Sequence, residues 1–312
     1  MTLALVIPVY NDANGLHALL KQVTQFDVFD QIVVVDDGSD QVISVSENIQ
    51  LIRNNVSHGA GAGRNSGLDQ VQCDHVIFFD SDDLFTADFV ALCHELRAAE
   101  QFDFCIFRHN DSRVSGAGRW GQLALDNALW RQANTQAHGT LWTVNETDAL
   151  VRTANYPWNK VYRTQFLRDH GLRFSYDIVH NDITMHWLGF AAAQRILASD
   201  RICAHHVVQS GGSRLTNEAG RSRLGVFRPL EIVAQGVCND AKLWQAFLKF
   251  TASLLDWVRD TMDPILHPEL DYATGAFWQT YLDKQTLDCV IKDDPVLALR
   301  LVLQMAGGRV PC

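Results

Sequence analysis

Short apolar runs that alternate with helical patterns are the feature that most constrains how this chain folds. Each run is followed by polar residues, as is typical of strands that are buried on both faces of a parallel sheet. The candidate strands of the first 107 residues are Leu3–Pro8, Ile32–Val35, Ile49–Ile52, Val76–Phe79 and Phe102–Phe107. Apolar residues recur at helical spacing between them. The alternation predicts an open α/β sheet whose strands are joined by crossover helices.

The remainder of the chain shows a weaker pattern. Glycines among polar residues over 108–155 predict an excursion that contains a hairpin. We expect helices over Tyr156–His170 and Asp182–Gln194, and a strand over Ile202–Val208. From residue 216 onward apolar residues recur at helical spacing only. We therefore divide the chain into an α/β domain over 1–215 and a helical region over 216–312.

Composition excludes several classes of function. The chain has 26 Lys and Arg against 36 Asp and Glu, a formal charge of −10, and it has no basic tract. A nucleic-acid partner is therefore not expected. No apolar run reaches the length of a membrane-spanning helix. The seven cysteines are scattered without metal-ligand spacing, and the first ten residues are typical of a strand instead of a signal peptide. These features predict a cytoplasmic protein with reduced thiols.

Three polar clusters follow successive candidate strands. They are Pro8-Val9-Tyr10-Asn11, Asp36-Asp37-Gly38-Ser39 and Asp80-Ser81-Asp82. In open α/β sheets the ligand site lies beyond the carboxyl ends of the strands, so the three clusters are expected to converge. Asp80 and Asp82 can face one cation, and carboxylate oxygens select Mg²⁺ or Mn²⁺. Each cluster alone is also compatible with a solvated turn or a helix cap.

A glycine-rich stretch, Gly59–Gly67, follows the third candidate strand. It does not fit the dinucleotide-binding fingerprint, because the third glycine position holds Ser66 or Arg64, and no P-loop sequence occurs in the chain. We interpret the stretch as a turn at which the backbone approaches another group closely, with Arg64 available to a base or a phosphate. A flexible helix entry is the alternative.

Taken in order and spacing, these segments resemble the family 2 glycosyltransferases. The resemblance rests on Val-Ile-Pro-Val-Tyr-Asn, Val-Val-Asp-Asp-Gly-Ser, Gly-Ala-Gly-Arg-Asn-Ser-Gly and Phe-Asp-Ser-Asp-Asp. It continues in the segment Trp158–Arg163, which is similar to a motif of the bacterial members, and in Asn181-Asp182. It covers residues 3 to 215 and implies the GT-A fold, in which a nucleotide-sugar-binding α/β domain uses a DxD metal site.

The resemblance assigns a role to residues of each motif. The donor nucleotide, most often a UDP-sugar in this family, would contact a set of seven residues. These are Pro8, Tyr10, Asp12, Asp36, Arg64, Asp80 and Arg214. Mn²⁺ or Mg²⁺ would be held by Asp82 with Asp80. His205 is a further candidate ligand, because some relatives use a downstream histidine, although only one of the adjacent pair His205-His206 can face the site.

Asp182 stands where the family carries its general base. Family 2 members invert the anomeric centre, and a single displacement needs one carboxylate to accept the proton of the acceptor hydroxyl. A helix N-cap is the alternative role for Asp182. Asn181 departs from the family, which usually has Glu at this position, and the change removes a charge next to the base. On the acceptor side we expect Trp158, Asn159, Lys160 and Asn181.

These assignments predict a metal-dependent glycosyltransferase that moves a sugar to a glycan or lipid-linked acceptor in polysaccharide synthesis. Two other functions stay open: a sugar nucleotidyltransferase, and a non-catalytic subunit that retains the fold. The helical region could pack onto the α/β domain, form a homo-oligomer, or contact a membrane-bound acceptor. Peripheral contact with the inner face of the membrane is the corresponding expectation for localisation.

Overall fold

A nine-stranded mixed sheet forms the centre of the computed structural model, which describes residues 1–133, 139, 141–208 and 218–307. The strands are β1 (Leu3–Val9), β2 (Gln31–Asp36), β3 (Gln50–Arg53), β4 (His75–Phe78), β5 (Leu84–Phe85), β6 (Phe104–Asp111), β7 (Leu141–Thr143), β8 (Lys160–Arg163) and β9 (Ile196–His206). Their order is β3-β2-β1-β4-β8-β6-β9-β5, and β7 also pairs with β9. The predicted α/β fold class is therefore confirmed.

The first four strands lie parallel, as the crossover pattern predicts. β1 is flanked by β2 and β4, and Val9 is in register with Asp36. β3 continues the parallel ladder on the outer side of β2. The carboxyl ends of β1, β2 and β4 consequently meet at one edge of the sheet. β8 runs antiparallel to β4 and to β6, which makes the sheet mixed beyond β4.

Helices cover both faces of the sheet and make up the end of the chain. They are α1 (Ala13–Val23), α2 (Ala60–Gln70), α3 (Ala87–Ala98), α4 (Ser112–Ser115), α5 (Ala124–Ala133), α6 (Thr164–Asp169), α7 (Ile183–Ala192), α8 (Phe227–Val237), α9 (Ala241–Thr261), α10 (His267–Tyr281), α11 (Lys284–Asp293) and α12 (Pro295–Met305). No helix among the described residues is long and apolar enough to cross a bilayer.

The glycine-rich stretch is helical, which corrects our interpretation of it as a turn. Only Gly59 precedes α2, at a φ of +90° that favours glycine. The close approach was expected correctly and has a geometric cause. A Cβ at Gly67 would lie 2.3 Å from Cγ1 of Val6 in β1, and one at Gly61 would lie 2.1 Å from the carbonyl oxygen of Ser175. The glycines let α2 pack tightly on the sheet and on the loop before α7.

Two further expectations are wrong. The segment predicted to be one helix over Tyr156–His170 forms a 3-10 turn (Pro157–Asn159), then β8, then the short helix α6. β8 fills the space between β4 and β6, and these ladder bonds override the local helical pattern. The 108–155 excursion holds α4, α5 and β7, and β7 pairs with β9 instead of forming a hairpin within the described part of the excursion.

The helices that follow residue 218 share a core with the sheet. One continuous apolar cluster contains Val6 of β1, Trp187 of α7, Phe247 of α9 and Trp278 of α10. The rings of Trp187 and Phe247 meet edge to face at 5.4 Å. These contacts pack α9 against α7. α10 ends at Tyr281, and Asp283 caps α11.

Candidate active site

The three polar clusters converge at the carboxyl ends of β1, β2 and β4. The backbone N–H of Asn11 donates to Oγ of Ser39 at 2.9 Å, which joins the ends of β1 and β2. Asp12 joins the ends of β1 and β4, because the Ser81 hydroxyl donates to its Oδ2 at 2.8 Å. The other carboxylate oxygen of Asp12 caps α1 through the N–H of Gly15. Asp12 therefore braces the site in this structure, whereas the resemblance implied a nucleotide contact.

An acidic triad, Asp80, Asp82 and Asp83, follows β4. One carboxylate oxygen of each residue lies within 4.8 Å of those of the other two. Asp83 escaped the sequence analysis, which considered only the DxD pair. It is buried, and burial raises the pKa of its carboxyl group. Its Oδ1 accepts from the backbone N–H of Val207 at 2.8 Å and lies 3.0 Å from Nδ1 of His206.

His206, and not His205, is the histidine that contacts the triad. Burial lowers the pKa of His206, but the hydrogen bond and the charge of Asp83 outweigh burial and raise it overall. His205 points to the other side of β9, where its Nδ1 lies 2.6 Å from the Asn110 amide nitrogen and its ring stacks on Trp120. Adjacent residues of a strand face opposite sides, so only one of the two histidines can face the triad. That residue is His206, whereas we expected His205.

Arg64 links the acidic triad to the segment that carries Asp182. Its Nη2 donates to Oδ1 of Asp80 at 2.5 Å, and its Nη1 donates to Oδ1 of Asn181 at 2.8 Å. The guanidinium is buried and lies 5.2 Å from the ring centre of Phe174. α2 places Arg64 beneath both partners. One side chain therefore sets the distance between the two halves of the site.

Asp182 ends a short loop, Ser175–Asp182, which we call the base loop. The N–H of Ser175 donates to the carbonyl of Asn181 at 3.0 Å and closes this loop. Asp182 occupies the N-cap position of α7, but its carboxylate makes no capping hydrogen bond to the described first turn. Burial raises the pKa of Asp182 to about 6, while the charges of Arg64 and Lys160 act in the opposite direction. The carboxylate is thus left available for a role other than capping.

Three residues expected on the acceptor side lie beneath the surface. Trp158 and Asn159 of the 3-10 turn are 0% and 1% exposed, and Lys160, the first residue of β8, is 1% exposed. The Lys160 ammonium group donates to the Tyr156 carbonyl at 3.0 Å and to Oδ1 of Asn159 at 2.5 Å. Burial lowers its pKa to about 7, against the charge of Asp182, which raises it. Lys160 can support the base electrostatically, and none of the three side chains is exposed to solvent.

The fourth acceptor-side candidate, Asn181, is also buried and holds Arg64 instead of facing solvent.

On the donor side, Asp36 is fully buried. Its carboxylate accepts from Arg53 at 2.7 Å and from the N–H of Ser39 at 2.9 Å, so it stabilises the loop after β2. Asp37 was not singled out from the sequence, yet its carboxylate accepts from the N–H groups of His58 and Gly59 and so fixes the entry to α2.

Two donor-side candidates differ in exposure. Pro8 is buried and lies against α2, because a Cβ added at Gly63 would be 3.2 Å from the Cβ of Pro8. Tyr10, just after β1, is 52% exposed. Arg214 lies outside the described residues.

A cavity of about 630 Å³ opens along α2, between Asn54 and His58 on one side and Arg173 and Tyr176 on the other. It borders the base loop but is not lined by the acidic triad.

Sequence comparison places the chain among the glycosyltransferases. The family model described as Glycosyl transferase family 2 matches residues 4–164. An uncharacterized glycosyltransferase of Rickettsia conorii is 25% identical over 261 residues, which cover 81% of this chain and 39% of that protein. The pre-mycofactocin glycosyltransferase of Mycobacterium tuberculosis is 36% identical over 83 residues, 25% of this chain and 17% of that protein. The chain thus spans about two fifths of the length of its Rickettsia relative.

Structural comparison agrees with this assignment. S. aureus TarS 1–349 superposes with a TM-score of 0.73 at 18% identity, over 98% of this chain and 88% of that chain. Its complex with UDP-GlcNAc gives a TM-score of 0.72 over the same shares, again at 18% identity. These matches confirm the GT-A fold, helical region included. From the family match, the strand-end clusters and the fold together, the chain belongs to glycosyl transferase family 2.

Proposed function

We propose that this protein transfers a sugar from a UDP-sugar to a hydroxyl group of a glycan or lipid-linked acceptor, with inversion and with Asp182 as general base. The observation that carries the proposal is the Arg64 bridge, which joins Asp80 to Asn181 and so brings the acidic triad next to Asp182. The complexes of S. aureus TarS with UDP and with UDP-GlcNAc support the choice of donor.

The acidic triad fits a divalent cation. Its ligand atoms are carboxylate oxygens within 4.8 Å of one another, and such hard donors suit Mg²⁺ or Mn²⁺. Asp80, Asp82 and Asp83 would hold the ion, and the backbone of Val207 would orient Asp83. When bound, the ion would stabilise negative charge on the departing diphosphate.

The residues of the chain supply the remaining chemistry. The acceptor hydroxyl oxygen forms a bond to the anomeric carbon as the bond from that carbon to the diphosphate oxygen breaks. The hydroxyl proton passes to a carboxylate oxygen of Asp182, and the electron pair of the broken bond leaves with the UDP. The raised pKa of Asp182, about 6, makes it a stronger base than an exposed aspartate and leaves it ionised at pH 7. The charges of Arg64 and Lys160 offset part of the desolvation cost of this carboxylate.

Replacement of the base tests the proposal. Asp182→Asn should lower kcat for transfer by about 10²–10⁴-fold, because proton acceptance is lost while the site keeps its shape. Calorimetric titration with UDP and Mn²⁺ should give an unchanged affinity. The variant should also be no less stable to urea, since a partly buried carboxylate whose pKa is raised opposes folding when it is ionised.

Asp169→Asn is the matched control, because that carboxylate is exposed on α6. It should leave transfer unchanged. Undiminished turnover in Asp182→Asn would refute the assignment of the base. A wild-type protein that binds UDP but turns over no nucleotide sugar with either Mg²⁺ or Mn²⁺ would instead support the non-catalytic subunit.

A further inference from the structure

A tryptophan of the helical region lies beside the base loop. Trp257, near the end of α9, is 43% exposed although it is one of the largest apolar side chains. Its ring meets the imidazole of His180 edge to face, with 6.0 Å between the ring centres. His180 is two residues from Asp182, so its Cα lies at most about 7.6 Å from that of the base. The family match ends at residue 164, so both partners of this contact lie outside the matched part of the chain.

The indole is held in place by a buried cation. The Arg223 guanidinium lies 4.5 Å from the centre of the Trp257 ring, and the side chain of Arg223 is 2% exposed. Its Nε donates to the carbonyl oxygen of Glu218 at 2.6 Å, which fixes the guanidinium to the backbone. A cation over an aromatic face stabilises the ring in one orientation. The exposed tryptophan is thus ordered, as a binding surface must be.

His180 adds an unsatisfied polar atom next to the indole. Its Nε2 is buried and has no hydrogen-bond partner among the described residues. Its backbone has a φ of +62°, which is unfavourable for a residue other than glycine, and such strain is concentrated at functional sites. Burial, with a smaller contribution from the charge of Arg223, lowers the pKa of His180 to about 4. The imidazole is therefore neutral at pH 7 and can donate or accept a hydrogen bond through Nε2, according to its tautomer.

We infer that Trp257 and His180 form an acceptor subsite, in which a sugar ring of the acceptor stacks on the indole and one of its hydroxyl groups bonds to Nε2 of His180. The inference rests on the proposed function and gives the helical region a part in substrate recognition. A sugar ring has an apolar C–H face and polar edges, which match an aromatic surface beside a free hydrogen-bonding group. The adjacent Asp182 would then meet a neighbouring hydroxyl of the same acceptor.

The test compares acceptor-dependent with acceptor-independent turnover. UDP-GlcNAc and other UDP-sugars serve as donors, methyl glycosides of common hexoses and N-acetylhexosamines serve as acceptors, and UDP release is measured with and without acceptor. Trp257→Ala should raise the KM for the acceptor about tenfold. It should leave UDP affinity unchanged. Trp257→Tyr should restore most of the acceptor affinity, because it keeps an aromatic face.

A second pair of variants separates recognition from folding. His180→Asn keeps a residue that tolerates positive φ but removes the imidazole ring. It should weaken acceptor binding without altering donor affinity. Tyr272→Ala removes an aromatic residue of α10 that is 81% exposed. It should change neither the KM for the donor nor the KM for the acceptor. Equal acceptor KM values in Trp257→Ala and wild type would overturn the inference while leaving the proposed function intact. If no methyl glycoside stimulates UDP release by wild type, the subsite as stated is refuted, whereas failure of wild type to bind any UDP-sugar refutes the proposed function itself.

Discussion

The two sides of the site are fixed by different kinds of structure. The acidic triad follows β4 directly, and the ladder between β1 and β4 sets its position. The base loop has no strand of its own among the described residues. It is held by Arg64 from α2, by the close approach of Gly61 to Ser175, and by the contact of His180 with Trp257. Substitutions on the triad side should therefore act locally, whereas those on the base side should act through distant segments.

The largest difference is expected between a substitution in the acidic triad and one at the base, in their effects on activity and on stabilisation by UDP. Asp82→Asn should lower kcat/KM for transfer by about 10³-fold, because it weakens both cation binding and donor binding. The stabilisation of the fold by UDP with Mn²⁺, measured as a rise in Tm, should disappear in this variant. It should persist in Asp182→Asn, which leaves the triad intact.

Asp88→Asn controls for charge near the triad, since Asp88 is exposed in the first turn of α3. It should retain both activity and the rise in Tm. If Asp82→Asn kept the full ligand-induced rise, the triad would not be the cation site, and the distinction between the two sides would fail.

A smaller effect should follow from loss of the bridge between the two sides. Arg64→Ala leaves Asp80 and Asn181 without the guanidinium and should reduce kcat by about 10²-fold, because the base and the donor lose their relative placement. Arg64→Lys should recover little, since one ammonium group does not reproduce the two-pronged contact.

A double-mutant cycle with Asn181→Ala measures this coupling. The two substitutions should be non-additive by about 0.5–3 kcal/mol in the activation free energy, as is usual for residues in one hydrogen-bond network. Additive effects would mean that Arg64 serves the triad alone. Asn181→Glu, which introduces the residue usual in the family, should pair with Arg64 and keep the bridge.

The triad side could be predicted from the sequence because its signals are local. A continuous apolar run followed by Asp80 and Asp82 indicates a buried strand and its carboxyl end, and parallel strands bring such ends together. The convergence of the three strand ends was predicted in this way. The family match also decides against the sugar nucleotidyltransferase that the sequence analysis left open. Asp83 was missed because its partner, His206, is distant in the sequence and becomes a neighbour only when β9 folds against β5.

The base side could not be predicted because its determinants are tertiary. Glycine has a low helix propensity, so the glycine-rich stretch was interpreted as a turn, and only packing against Val6 and Ser175 makes it a helix. Lys160 carries a charge, and the pattern gave no sign that β8 would bury it completely. Trp257 fits the apolar repeat of α9 like any core residue. Its exposure and its contact with His180 depend on how α9 packs against the base loop.

The smallest effect we predict concerns the pH dependence of the base. Asp182 acts only when ionised, so kcat should fall as the pH drops through its pKa of about 6. The ammonium group of Lys160 lowers the pKa of Asp182. In Lys160→Met this charge is missing, the pKa of Asp182 should rise, and the acid limb of the profile should move to higher pH. A displacement of one unit would reduce kcat at pH 5 about tenfold.

Above pH 7 the profiles of kcat against pH should converge for wild type and Lys160→Met. Burial lowers the pKa of Lys160 to about 7, so the wild-type ammonium group itself loses its proton in the range where Asp182 is fully ionised. Lys242→Met is the matched control, because that lysine pairs with Glu146 in an exposed ion pair far from the base loop in sequence, and its profile should match that of wild type. If the acid limb of Lys160→Met stayed in place, the buried lysine would support only the fold of β8, and the electrostatics of the base would depend on Arg64 alone.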